Sequence, residues 1–178
     1  MKEEVLKFWF EEIEQSKWWV KDEAFDELIR TRFLSAHQQA VCGELSDWRD
    51  TAEGRLAEII VLDQFSRNMF RDKPEAFAYD SLALVLAQET VRSGADQELD
   101  DTKRGFIYMP YMHSESLKVH ETAVELFKKS GSEGGLDFEL KHKRIIEKFG
   151  RYPHRNEILG RESTQEEIEF LKQPDSSF

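Results

Sequence analysis

The chain has 178 residues, 39% hydrophobic and 34% charged, a net charge of −11 and a single cysteine, Cys42. That length suits one domain with a sizeable core, and so acidic a chain is a poor general nucleic-acid binder, whose affinity would come from neutralised phosphates. One cysteine excludes an intrachain disulfide and a multi-cysteine zinc site, and four Pro with nine Gly are too few for a turn-rich all-β design.

No apolar run approaches the ~20 residues that a membrane span needs. Met1-Lys2-Glu3-Glu4 leads into an amphipathic pattern rather than a signal-peptide core. The expectation is a cytoplasmic protein without a membrane partner.

Residues 3–14 read as a helix, with Val5, Phe8, Trp9 and Ile13 at helical spacing. Trp18 and Trp19 follow in a connection and read as core aromatics. Asp22 caps a second helix to about Cys42, ended by Gly43. Phe25, Leu28, Ile29, Phe33 and Ala36 form its apolar side, and His37 reads as a surface or rim residue. Thr51 caps a third helix over 52–68, which is apolar on most sides and therefore central. Within it Asp63 and Arg67 stand at i,i+4 where the pattern expects hydrophobes, and Glu58 lies on an apolar line. Buried charges persist only when paired.

Pro74 suits the first turn of a fourth helix over 74–93, with Phe77, Leu82, Val85 and Leu86, closed by Gly94. Residues 99–109 form another helical piece, stopped by Pro110. Ser114 caps the next, to about Lys129, with His113, Leu117, His120, Val124 and Phe127 on one face. Residues 130–135 read as a flexible Gly-rich loop. The following helix, 136–149, directs Phe138, His142, Ile145, Ile146 and Phe149 inward. Thr164 and Glu167 have capping-box spacing for a terminal helix. The tail 174–178 reads as loosely held, with Phe178 able to dock. The whole is one all-α domain over 1–178, built of antiparallel helical hairpins, about eight or nine helices in number.

Three segments break the apolar pattern in a coordinated way. They are Leu62 to Arg71, Tyr108 to Glu115, and the loop from Phe149 to Arg161 preceded by His142. Each puts polar groups on or at the end of a buried face, so they can converge on one pocket. The last lies in a basic island, Lys141, Lys143, Arg144, Lys148, Arg151, Arg155 and Arg161, interrupted only by Glu147 and Glu157. On an acidic protein such an island can focus an anion.

These segments resemble the signature blocks of the bacterial domain-of-unknown-function family number 924. The matching stretches are Leu62-Asp63-Gln64-Phe65-Ser66-Arg67-Asn68-Met69-Phe70-Arg71, then Pro110 to Glu115, then His142 to Glu167. Phe8-Trp9-Phe10 and Trp18-Trp19 fit the family's N-terminal pattern. The chain departs from it at Tyr152, where the pattern has Phe, and at His120, where it has Gln. The resemblance implies a tetratricopeptide-like, right-handed helical array and no established activity.

The polar residues admit three readings. As an enzyme, His113, Glu115, Asp63 and His154 supply acid and base. Gln64, Arg67, Asn68, His142, Arg151, Arg155, Asn156 and Arg161 then hold a small anionic ligand, a phosphate or carboxylate. As a helical interaction module, the same basic surface takes an acidic peptide or C-terminus. As a structural network, the charges cross-link helices. His113, His120, His142 and His154 lack metal-ligand spacing, so neither a metal nor another cofactor is expected.

Overall fold

The computed structural model describes residues 1–174, 176 and 177. Among them every regular element is helical and no strand occurs, as the absence of period-two alternation predicts. α1, Lys2–Lys7, runs directly into a π-helical turn over Phe8–Glu12. Asp22 caps α2, Glu23–Val41, by accepting from the Phe25 amide at 3.1 Å. Gly43 then turns the chain with φ of +73°, a conformation that glycine adopts without a Cβ clash.

The third expected helix is one helical run in three parts: α3, Ala52–Ile60, a π-helical turn over Val61–Phe65, and α4, Ser66–Met69. Thr51 caps it, accepting from the Gly54 amide at 3.1 Å. α1, α2, α5 (Asp80–Ser93) and α6 (Asp101–Met112) all pack against it, so this run is the central helix. Its buried Glu58 is held by a forked pair of bonds from Arg49, both 2.7 Å. Around it lie the core aromatics, with ring centroids 4.9 Å apart for Phe33–Phe65, 5.1 Å for Phe8–Phe33 and 5.5 Å for Trp9–Phe65.

Several boundaries differ from expectation. Pro74 opens only a 3-10 turn, Pro74–Ala76, and α5 starts at Asp80 after a further turn at Tyr79. That turn brings Asp80 against Arg67 and Arg155. Pro110 does not stop α6. So near the helix end it gives up only its own amide bond, and Tyr111 and Met112 are buried and hold the last turn. α7, Leu117–Ser130, follows Ser116 rather than Ser114, whose hydroxyl instead accepts from the Ser116 amide at 3.2 Å. α8, Glu133–Phe149, begins inside the expected loop, because Ser132 caps it through the Gly135 amide at 3.2 Å. A cap of that kind offsets the roughly 1 kcal/mol that a helical glycine costs. α9, Gln165–Phe170, carries the expected capping box.

The inward faces also shift. His37 is 2% exposed, not a rim residue. Phe138 is 52% exposed, because α8 turns Glu139, His142, Ile145 and Ile146 inward, and Glu139 finds a partner in His120. Trp19, Leu28, Val85 and Leu117 are exposed as well. A second, smaller apolar cluster joins Ile145, Ile146 and Tyr152 to Phe149 and Phe170, and so pins the loop after α8. In the tail, Ser176 is buried and its hydroxyl donates to the Leu171 carbonyl at 3.2 Å. The expected docking of Phe178 lies outside the described residues. Among the described residues no helix is long and apolar enough to cross a membrane.

Candidate functional site

The three polar segments converge. The π-helical turn places Asp63 on the inner side of the central run, 1% exposed at its side chain. π turns are wide, recur at functional sites and loosen the regular backbone ladder. Here side chains reach its carbonyls: Ser66 donates to Leu62 at 2.6 Å and Arg67 to Asp63 at 2.9 Å. The Asp63 carboxylate accepts from His113 Nδ1 at 2.7 Å and from Gln64 at 2.6 Å, and pairs with Arg67 at 3.1 Å. Burial pushes its pKa up, but Arg67 and His113, with the bonds from His113 and Gln64, outweigh burial and hold it below the carboxylate range.

Arg67 forks onto Asp80 at 2.9 and 3.0 Å. Arg155, 6% exposed, donates to the same carboxylate at 3.1 Å and to the His113 carbonyl at 3.0 Å. Its guanidinium lies over Phe77 and Tyr152, 4.5 and 4.6 Å from the ring centroids. Asp63, Arg67, Asp80 and Arg155 are thus two carboxylates against two guanidiniums, joined to His113. Burial and the Arg67 charge hold the His113 imidazole below its ordinary pKa, against the pull of Asp63. A neutral ring donating through Nδ1 to Asp63 keeps its lone pair on Nε2.

Glu115 accepts a forked pair from Arg161 at 2.8 and 2.9 Å and the Tyr152 amide at 2.8 Å. Burial pushes the carboxyl up, but these bonds from Arg161 and Tyr152 leave it below its ordinary range. Arg161 also meets Asn156 at 3.0 Å, and Asn156 donates to Ser163 at 3.0 Å. Arg151 stands apart, forked onto Glu167 at 2.7 and 2.9 Å, which holds Glu167 down to about 2. Asn68 faces the other way: with Arg71 it binds Asp26 on α2. The expected set therefore divides. Asp63, Gln64, Arg67, His113 and Arg155 form one bonded centre. Glu115, Asn156 and Arg161 brace the loop beside it. Arg151 and Asn68 belong to other pairs. His142 donates through Nδ1 to the Phe138 carbonyl at 2.7 Å, and burial depresses it to about 3.

Tyr152 is the hub between this centre and α8. The rings of His154, His142 and His120 lie 5.6, 5.8 and 6.4 Å from its own. Its hydroxyl donates to the Met112 carbonyl at 2.5 Å and lies 3.2 Å from His120 Nε2. The two positions where the chain departs from the family pattern therefore touch, and the tyrosine hydroxyl contributes more than bulk. His120 Nε2 is 2.8 Å from the Ser114 carbonyl, which can only accept, so Nε2 carries a proton. The 2.7 Å contact between His120 Nδ1 and Glu139 Oε1 must then hold a second proton on one of the two atoms. Both side chains are fully buried, and burial raises the Glu139 carboxyl above its usual value. Two buried atoms of the loop after α8, His154 Nδ1 and Arg155 Nε, make no hydrogen bond among the described residues. Burial, with Arg155 and Arg67 nearby, depresses His154 to about 3. Among the described residues no three His, Cys, Asp or Glu side chains gather closely enough to hold a metal ion.

Asp80 is the principal residue that sequence reasoning missed. Its signal was arithmetic: Asp63 alone cannot neutralise both Arg67 and Arg155. Glu139 was hidden beside Phe138, the residue taken for the apolar position.

Fold and site define an all-helical protein whose polar segments fold inward onto one another. The chain belongs to a bacterial protein family of unknown function, DUF924, whose model matches residues 5–175. A solved structure of a protein of unknown function, ATU0120 from Agrobacterium tumefaciens, is similar to it, with 38% identity and a TM-score of 0.91 over 96% of each chain. No curated protein matches the sequence.

Proposed function

We propose that this protein binds a small anionic molecule beside the His113–Asp63 pair, with His113 as its acid–base group and Arg155 and His154 as further contacts. The observation that carries this reading is the 2.7 Å bond from His113 Nδ1 to a buried carboxylate. It orients the imidazole and leaves Nε2 to accept a proton, the division of labour of a histidine general base. The unpartnered Arg155 Nε and His154 Nδ1 support a polar ligand, since buried polar atoms are ordinarily bonded. An acidic peptide would need Arg151 and Arg161, which Glu167 and Glu115 occupy, so a small ligand stands ahead of it.

One observation favours a second reading, a purely structural network. Arg67, Arg71, Arg151, Arg155 and Arg161 each end on a carboxylate of the same chain. A thermal-shift panel of phosphorylated and carboxylate metabolites separates the two, because a ligand that binds only the folded state raises the melting temperature. Under the ligand reading, at least one compound stabilises the wild type and moves the His113 ring resonances, and His113→Gln loses the stabilisation. A panel that leaves the wild type unchanged, with His113→Gln melting lower, assigns the cluster to structure.

A further inference from the structure

Away from that centre, α2 and the segment after α4 line an open cleft of about 310 Å³. Leu34, Val41, Phe70 and Tyr79 supply apolar wall, His37 lies within it, and Glu75 adds a carboxylate. The chemistry of His37 follows from its neighbours. Its Nε2 lies 2.8 Å from the Ser66 hydroxyl. Ser66 already donates its own proton to the Leu62 carbonyl at 2.6 Å. Ser66 therefore accepts, and the His37 proton sits on Nε2. Burial depresses the ring to about 4, so it is neutral near pH 7 and Nδ1 is a bare acceptor. Nδ1 has no hydrogen-bond partner among the described residues, and it is not among the sealed atoms that lack one. It is thus the polar atom that an otherwise buried side chain presents to the cleft. The ring is fixed on both sides, 5.2 Å from Phe70 and 5.2 Å from Tyr79.

We infer that this cleft binds a small aromatic amine, its ring between the apolar walls and its N–H donating to His37 Nδ1. The volume lies at the lower end of the range for ligand pockets, which are apolar with a few placed polar groups. The polarity selects the class. The lining has the His37 acceptor, the Glu75 carboxylate and the neutral Gln38 amide but no Lys or Arg, on a chain of net charge −11. Arg30, which stands over the Phe70 ring, is committed to the Met69 carbonyl and to Glu27. An ammonium is attracted by Glu75, and a carboxylate of the same size is repelled by it. This site does not depend on the anion-binding reading, because none of its lining residues belongs to the Asp63 centre.

Saturation-transfer NMR on the full chain, with benzylamine and benzoate as probes, tests the inference. Benzylamine gives transfer and moves the His37 ring nitrogens, and benzoate binds about tenfold or more weakly, a difference of about 1.4 kcal/mol. Val41→Trp fills the cleft and removes the benzylamine signal. Where that variant melts low, Cys42→Trp, at an exposed position of the same lining, is the second blocking change. Absence of transfer to benzylamine overturns the inference. So does equal transfer to both probes, or a signal that survives the blocking variants.

Discussion

Asp80→Asn removes a carboxylate that two guanidiniums share, the buried Arg155 and the half-buried Arg67. The native group accepts at 2.9 and 3.0 Å from Arg67 and at 3.1 Å from Arg155. The three side chains are 15%, 21% and 7% exposed, so water screens them little. Arg67 keeps Asp63, but Arg155 keeps only the His113 carbonyl. Asparagine is neutral, and its amide turns N–H groups toward N–H groups. Breaking a buried pair from one side costs about 3–5 kcal/mol. In a chain of this size that lowers the melting temperature by roughly 6–20 °C. Urea unfolding followed by circular dichroism measures it, with an unchanged m-value showing that the same surface is exposed. The double mutant with Arg155→Met removes both charges and should lose less than the sum of the two single losses. A loss below about 1 kcal/mol for Asp80→Asn, the level of an exposed pair, would refute the reading of Asp80 as the shared partner of two weakly screened guanidiniums.

Acid should weaken the fold through its buried histidines, before most carboxylates titrate. His37, His142 and His154 are depressed to about 4, 3 and 3 from 6.5, so they are neutral when folded while the unfolded chain takes up protons below 6.5. Their contribution is fully present above that value and is lost as pH falls toward 3. Near pH 5 the loss reaches at most about 2 kcal/mol per histidine, and a urea midpoint that stays flat from pH 7 to 5 would contradict it. Tyr152→Phe should cost about 1–3 kcal/mol by stripping the donor from the Met112 carbonyl. Combined with His120→Gln, it should show a coupling of about 0.5 kcal/mol or more, since the residues touch; additive losses would mean that they act separately. Gly54→Ala would drive a Cβ into the Trp48 carbonyl oxygen, which is backbone and cannot swing aside. The expected loss is about 1–3 kcal/mol or more, checked by calorimetry, and a wild-type melting temperature would count against that close approach.

Sequence periodicity alone was enough for the helices, because a buried stripe at 3.6-residue spacing is a local property. So were the caps at Asp22, Thr51 and Thr164, where a side chain reaches an amide three residues on. Convergence of the polar segments was also legible: charges such as Asp63 and Arg67 on a buried helix require partners. Their partners were not, because pairs such as Arg155–Asp80 and Glu115–Arg161 span long stretches of chain. The π-helical turn was hidden for a related reason. One wide turn shifts every later side chain around the helix, and only the packing of Phe65 and Met69 against neighbouring helices decides for it. Likewise His37 read as a surface residue until Ser66, Phe70 and Tyr79 closed around it. The sequence by itself therefore determined the helices, their caps and which residues had to be charged partners of something. Tertiary structure alone decided who those partners are, and it tied the loop arginines to the chain's own carboxylates, because pairing energy depends on distances that sequence separation does not encode.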